Sequence, residues 1–99
     1  MTINIQYVRM ATSEAMNTYV TGKLQKLGKK YDWVIAAEVH FETQHDPKGL
    51  GKICKMELSL PGPRIFATSN EKNYELAVKN TIKDLETQLK KRKKTFQTH

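Results

Sequence analysis

From Thr2 to Val8 the apolar residues Ile3, Ile5 and Tyr7 alternate with Thr2, Asn4 and Gln6. That period of two predicts a strand with one buried face. Ser13 and Glu14 then mark a helix start. The serine hydroxyl can accept an orphan backbone N–H, and the carboxylate sits well at the positive end of the helix dipole. Met16, Tyr19, Val20, Leu24, Leu27 and Tyr31 recur at three- and four-residue spacing, so an amphipathic helix is predicted over residues 14–30.

Alternation returns in the middle of the chain. Ala37, Val39, Phe41 and Thr43 interleave with Glu38, His40, Glu42 and Gln44, and Cys54, Met56, Leu58 and Leu60 with Ile53, Lys55, Glu57 and Ser59. Two more strands follow, joined across Asp46-Pro47-Lys48-Gly49-Leu50-Gly51, a run of turn formers without apolar period that reads as a hairpin loop. Pro61-Gly62-Pro63 forces another reversal, and Arg64 to Thr68 reads as a short fourth strand. Ser69 and Asn70 are the capping candidates for a last helix over about residues 70–95, with Asn73 on its first turn. Its stripe, Tyr74, Val78, Ile82, Leu85, Leu89 and Phe96, spans an arc of roughly 80° at ~100° per residue. Such a helix would be about 39 Å long at ~1.5 Å per residue, so its last turns are expected to overhang a domain of this size. The order of elements predicts an α+β sandwich, β-α-β-β-β-α, with a four-stranded sheet carrying both helices on one face.

The 99 residues are room for one domain, and 38% hydrophobic residues suffice for a small core without a deep enclosed pocket. Nothing resembles a secretory h-region or a membrane span, and a lone cysteine suits a reducing cytosol, so a soluble, cytoplasmic protein is expected. Charge sharpens the picture more. The chain holds 17 Lys and Arg against 10 Asp and Glu, a formal +7. The two predicted helices hold 12 cations and 5 anions and the remaining chain 5 of each, so the whole excess lies on the helices. Lys72, Lys79, Lys83, Lys90 and Lys94 share an arc of roughly 60°, centred about 130° from the apolar stripe, and form one exposed ridge. Lys23, Lys26, Lys29 and Lys30 flank the buried face of the first helix, where side-by-side packing would set both groups around a common groove. Glu38, Glu42 and Glu57 would give the open sheet face the opposite character and repel a polyanion.

Lysines are strongly hydrated point charges that neutralise phosphates without reading bases, so recognition of folded RNA by shape fits better than stacking on an open sheet that lacks an aromatic run. Catalytic chemistry finds no foothold. No P-loop, dinucleotide turn or nucleophile elbow is present. His40, His45 and His99 are too scattered for a metal motif, and Cys54 points inward as an inert thiol. No cofactor, metal or small-molecule substrate is expected.

Asn4-Ile5, Ser13-Glu14-Ala15-Met16, Val20, Lys23-Leu24, Lys26-Leu27 and Tyr31-Asp32 resemble the first half of the bacterial ribosome hibernation-promoting factors, or ribosome-associated inhibitors, of the sigma-54 modulation protein family. Pro61-Gly62, Ala67, Tyr74-Glu75, Ala77-Val78 and Gln88-Leu89-Lys90-Lys91-Arg92-Lys93 look like that family's last strand and basic C-terminal helix. The resemblance implies a fold similar to double-stranded-RNA-binding domains and no catalysis. It implies binding to the small ribosomal subunit and its ribosomal RNA near the decoding centre. There the domain would block messenger and A- and P-site transfer RNA in stationary phase or stress. Matched positions are Lys23 and Lys26 on the first helix and Gln88, Lys91 and Lys93 on the second. Lys30, Lys79, Lys83, Lys90, Arg92 and Lys94 join them on the charge argument. Thr87 departs from the family, which usually has a basic residue before the Gln.

Residues 1–99 thus read as a single ribosome-binding domain with its basic helix end at about 90–99. With the chain stopping at His99, a short form is expected, without the long members' dimerising domain or the acidic tail of others, so that any pairing of whole ribosomes would need a separate ribosome modulation factor. Two alternatives stay open: a general double-stranded RNA- or DNA-binding module, and a protein-interaction module using Glu38, His40, Glu42 and Glu57 on the sheet.

Overall fold

A computed structural model describes residues 1–97. The elements run β1 (Thr2–Tyr7), α1 (Glu14–Lys30), β2 (Ala36–Thr43), β3 (Lys52–Ser59), β4 (Ile65–Glu71) and α2 (Tyr74–Gln97). The predicted β-α-β-β-β-α order holds. The sheet order is β1-β2-β3-β4, with β1 parallel to β2 and the other pairs antiparallel, as expected when only α1 makes a crossover.

Register aligns the inward residues across the sheet: Ile5 opposite Val39, Phe41 opposite Cys54, Met56 opposite Ala67. Val20, Leu24 and Leu27 of α1 and Ala77, Val78, Leu85 and Leu89 of α2 close over this layer in one core. Thr81 is the one buried polar residue among those described. Its hydroxyl donates to the Ala77 carbonyl at 2.7 Å, so the buried O–H is satisfied within its own helix. Cys54 is fully buried, and burial pushes its thiol up to about 12.

Ser13 caps α1 as expected, its hydroxyl accepting from the Met16 N–H at 3.2 Å. The start of α2 differs from the sequence reading. Ser69 and Asn70 belong to β4, which stays paired with β3 as far as Glu71 opposite Lys52. A backbone held in a sheet ladder cannot turn into a helix, so capping falls to Asn73. Its Oδ1 accepts from the Leu76 N–H at 2.8 Å. Asn70 instead accepts from the Gly51 N–H at 2.7 Å and pins the β2–β3 loop. Gly51 itself has φ +117°, and a Cβ there would lie 2.0 Å from the Gln44 carbonyl oxygen, so this loop end admits only glycine.

No residue from Lys90 to Phe96 is buried, so α2 leaves the core after Leu89, as its length led one to expect. The stripe ends earlier than predicted, because Phe96 is 42% exposed. It packs edge-on against Trp33 with centroids 5.1 Å apart, and Trp33 packs in the same way on Tyr31 at 5.9 Å. A column of three rings therefore props the end of α2 against the α1–β2 connection.

Candidate nucleic-acid interface

The two helices lie side by side and leave a groove of about 200 Å3 lined by Lys23, Lys26, Leu27 and Lys30 of α1 and Ile82 and Glu86 of α2. The sequence reading set the α2 lysines around this groove too, but only α1 supplies its cations: the α2 ridge, about 130° from the apolar stripe, lies outside the groove. Its cations are not equivalent. Lys30 Nζ stands 2.6 Å from Glu86 Oε2. The hydrogen bond and charge of Glu86 raise the Lys30 ammonium above its ordinary value, and the same contact lowers the Glu86 carboxyl. Lys23 lies over the Tyr19 ring at 5.5 Å, a contact that keeps its charge available. Lys26 is exposed and makes no ion pair among the described residues.

Lys79, Lys83, Lys90 and Lys94 are exposed along the outer side of α2, with no ion pair among the described residues. Lys91 and Lys93 are equally exposed. Lys72 drops out of the ridge, because the strand before it runs on to Glu71 and places it in the link to α2. With the observed bounds, α1 and α2 hold eleven cations and four anions, and the residues outside them six of each. The full +7 still lies on the helices.

Two candidates stand apart from that exposed set. Gln88 Nε2 donates to the Phe66 carbonyl at 2.7 Å and to Asp84 Oδ1 at 3.1 Å. Arg92 donates from Nη1 to the Pro61 carbonyl and from Nη2 to the Pro63 carbonyl, each at 2.9 Å. The signal was present in the helical projection. At ~100° per residue Arg92 falls about 20° and Gln88 about 60° from the buried Leu85, on the same side, so neither side chain belongs to the lysine ridge.

The opposite face of the sheet does carry Glu38, Glu42 and Glu57, but not as free anions. Glu42 pairs with Lys55 at 2.6 Å and Glu57 with Arg64 at 2.8 Å, while Asn4 donates to Glu38 at 3.2 Å. Lys55, paired across strands, was the missed signal. This face is close to neutral rather than strongly repelling. It holds a shallow depression of about 170 Å3 between His40, Lys55 and the 61%-exposed Phe66. Among the described residues no group of three or more His, Cys, Asp or Glu is placed to hold a metal ion; His99 lies outside them. Among the described residues no helix is long and apolar enough to cross a membrane.

Comparison with known proteins gives a family model described as sigma 54 modulation protein / S30EA ribosomal protein, which matches residues 3–97. A ribosomal subunit interface protein from Coxiella burnetii superposes with TM-score 0.83 at 26% identity, over 94% of this chain and 98% of that one. The N-terminal domain of Protein Y from Thermus thermophilus superposes with TM-score 0.79 at 22% identity, over 92% and 98%, a likeness of fold. No curated protein sequence matches.

Proposed function

This chain belongs to the sigma 54 modulation protein / S30EA ribosomal protein family, and from that premise we propose that it is a noncatalytic ribosome hibernation factor of the cytoplasm. It docks on the small ribosomal subunit near the decoding centre. There it occupies the path of messenger and of A- and P-site transfer RNA, so translation stops for steric reasons during stationary phase or stress. Pairing of whole ribosomes then depends on a separate modulation factor.

The observation that supports this best is the placement of the entire +7 on one layer of the molecule. A surface of unpaired lysines neutralises phosphates and releases counterions, and it fits the outside of folded RNA better than any base edge. Lys23, Lys26, Lys79, Lys83, Lys90, Lys91, Lys93 and Lys94 are the phosphate-facing set. Lys30 divides its charge between Glu86 and RNA.

Co-sedimentation with isolated small subunits, large subunits and whole ribosomes at two salt concentrations tests the reading. Stoichiometric binding to small subunits and whole ribosomes, lost when messenger and transfer RNA fill the decoding sites, is the expected result. Equal weak binding to every RNA, abolished by modest salt, would leave a general double-stranded-RNA-binding module in its place.

A further inference from the structure

The β3–β4 turn, Pro61-Gly62-Pro63, cannot satisfy its own carbonyls through its prolines, because neither has an N–H. Gly62 takes φ +91°, and a Cβ at that position would stand 2.9 Å from Nη1 of Arg92. The turn and the arginine are thus fitted to one another. The guanidinium spans the turn, one nitrogen on the Pro61 carbonyl and the other on the Pro63 carbonyl, each at 2.9 Å. One helical turn earlier, Gln88 holds the Phe66 carbonyl of β4 at 2.7 Å. Asp84, Gln88 and Arg92 form a row at four-residue spacing, the row of α2 that faces β4.

The segment that follows Leu89 needs such a hold. It has no buried side chain as far as Phe96. It carries Lys90, Lys91, Lys93 and Lys94, and the like-charge pair four residues apart, Lys90 and Lys94, works against helix formation. A helix end with exposed hydrogen bonds and no buried side chain opens readily, and here a single edge-on ring contact at Phe96 holds it from the other side. We propose that Arg92 is a positioning residue and not a phosphate ligand: it latches the last turns of α2 to the Pro61–Pro63 turn and so sets where Lys90, Lys91, Lys93 and Lys94 stand when RNA docks. The inference rests on the RNA-binding reading above and assigns one of its cations a different task. The task requires arginine. A planar fork can donate two hydrogen bonds to two carbonyls at once, whereas an ammonium on a flexible stem keeps the charge and loses the bridge.

The test compares Arg92→Lys, Arg92→Ala and Gly62→Ala with the unaltered chain, reading small-subunit binding across a salt series and amide exchange over residues 90–96. A latch predicts that Arg92→Lys fails to rescue. Both arginine variants should bind about three- to tenfold more weakly. In both, the slope of log affinity against log salt should fall by more than the roughly 0.7 to 0.9 that one lost phosphate contact removes. Amide exchange over 90–96 should accelerate in both, and Gly62→Ala, which changes no charge, should reproduce the pattern from the other side of the contact. Wild-type affinity in Arg92→Lys, with a single contact's slope lost in Arg92→Ala, overturns the latch in favour of an ordinary phosphate contact. Wild-type binding by all three variants overturns it too. Failure of the unaltered chain to bind small subunits is a separate result, which overturns the function proposed above and this inference with it.

Discussion

The two halves of α2 are held by different forces. As far as Leu89 the helix is fixed by burial: Ala77, Val78, Thr81, Leu85 and Leu89 are fully buried against the sheet and α1. Beyond it directional contacts take over, among them the Arg92 hydrogen bonds to the turn and the edge-on contact of Phe96 with Trp33. A buried stripe fixes a helix but leaves that face no access to a partner. The distal half keeps its lysines in water, where phosphates can reach them, and depends on a few geometrically exact contacts instead. One helix thus passes from a buried regime to a solvated one, with the change at Leu89.

The largest effect is expected at Leu85. Leu85→Ala should cost ~2 to 5 kcal/mol of folding stability through a core cavity, and leave the salt slope of RNA binding unchanged. A negligible shift in denaturant midpoint would mean that the proximal half is not held by burial. Phe96→Ala should cost less, about 0.5 to 1.5 kcal/mol for the lost ring pair, and should change the fluorescence of Trp33, the chain's one tryptophan. An emission spectrum identical to that of the unaltered chain would argue against the Trp33–Phe96 contact in solution. Replacing Lys83, Lys90 and Lys94 together by Gln should move stability by no more than about 0.5 kcal/mol while removing up to about three phosphate equivalents from the salt slope. Undiminished ribosome binding at every salt concentration would refute the ridge as an RNA surface.

The smallest effect concerns the pair that ties α1 to α2. Lys30 holds the Glu86 carboxyl below its usual range, chiefly through their hydrogen bond. That contribution is present above the unfolded carboxyl's pKa and fades as pH falls through the lowered folded value. Lys30, raised by the same contact, keeps its share until pH climbs through its own folded value. Glu86→Gln should therefore lower the melting temperature slightly at neutral pH and leave it unchanged in acid, since the pair is exposed and screened. A difference that persists at low pH would assign the effect to packing.

The halves of α2 also differ in how far they could be read from the sequence. Periodicity is a statement about burial, and it placed Val78, Leu85 and Leu89 correctly and with them the order of elements. It failed where burial stops deciding. Ser69 and Asn70 look like caps in isolation, but their backbone is committed to a ladder with β3, a long-range pairing that no local signal announces. Phe96 fits the stripe and yet is 42% exposed, packed edge-on against Trp33. Among the candidate site residues, the exposed lysines were legible because a solvated face needs nothing from the rest of the chain. The intramolecular partners of Gln88, Arg92 and Lys30 were not legible, because they are a carbonyl at Phe66, a turn at Pro61–Pro63 and a carboxylate at Glu86, each 22 or more residues away. For Arg92, the projection beside Leu85 already held the clue.

The position of Cys54 has a consequence for kinetics. It is the chain's one cysteine, lies fully buried in β3 beneath Thr81 of α2, and has a thiol pushed up to about 12. A thiolate-seeking reagent finds almost no reactive species in the closed molecule, so the rate of alkylation is governed by how often the sheet parts from its helices. The protein therefore carries a single internal clock for its own opening. Read on the ribosome and off it, that clock would give the stability that docking confers, without any label added to the surface that docks.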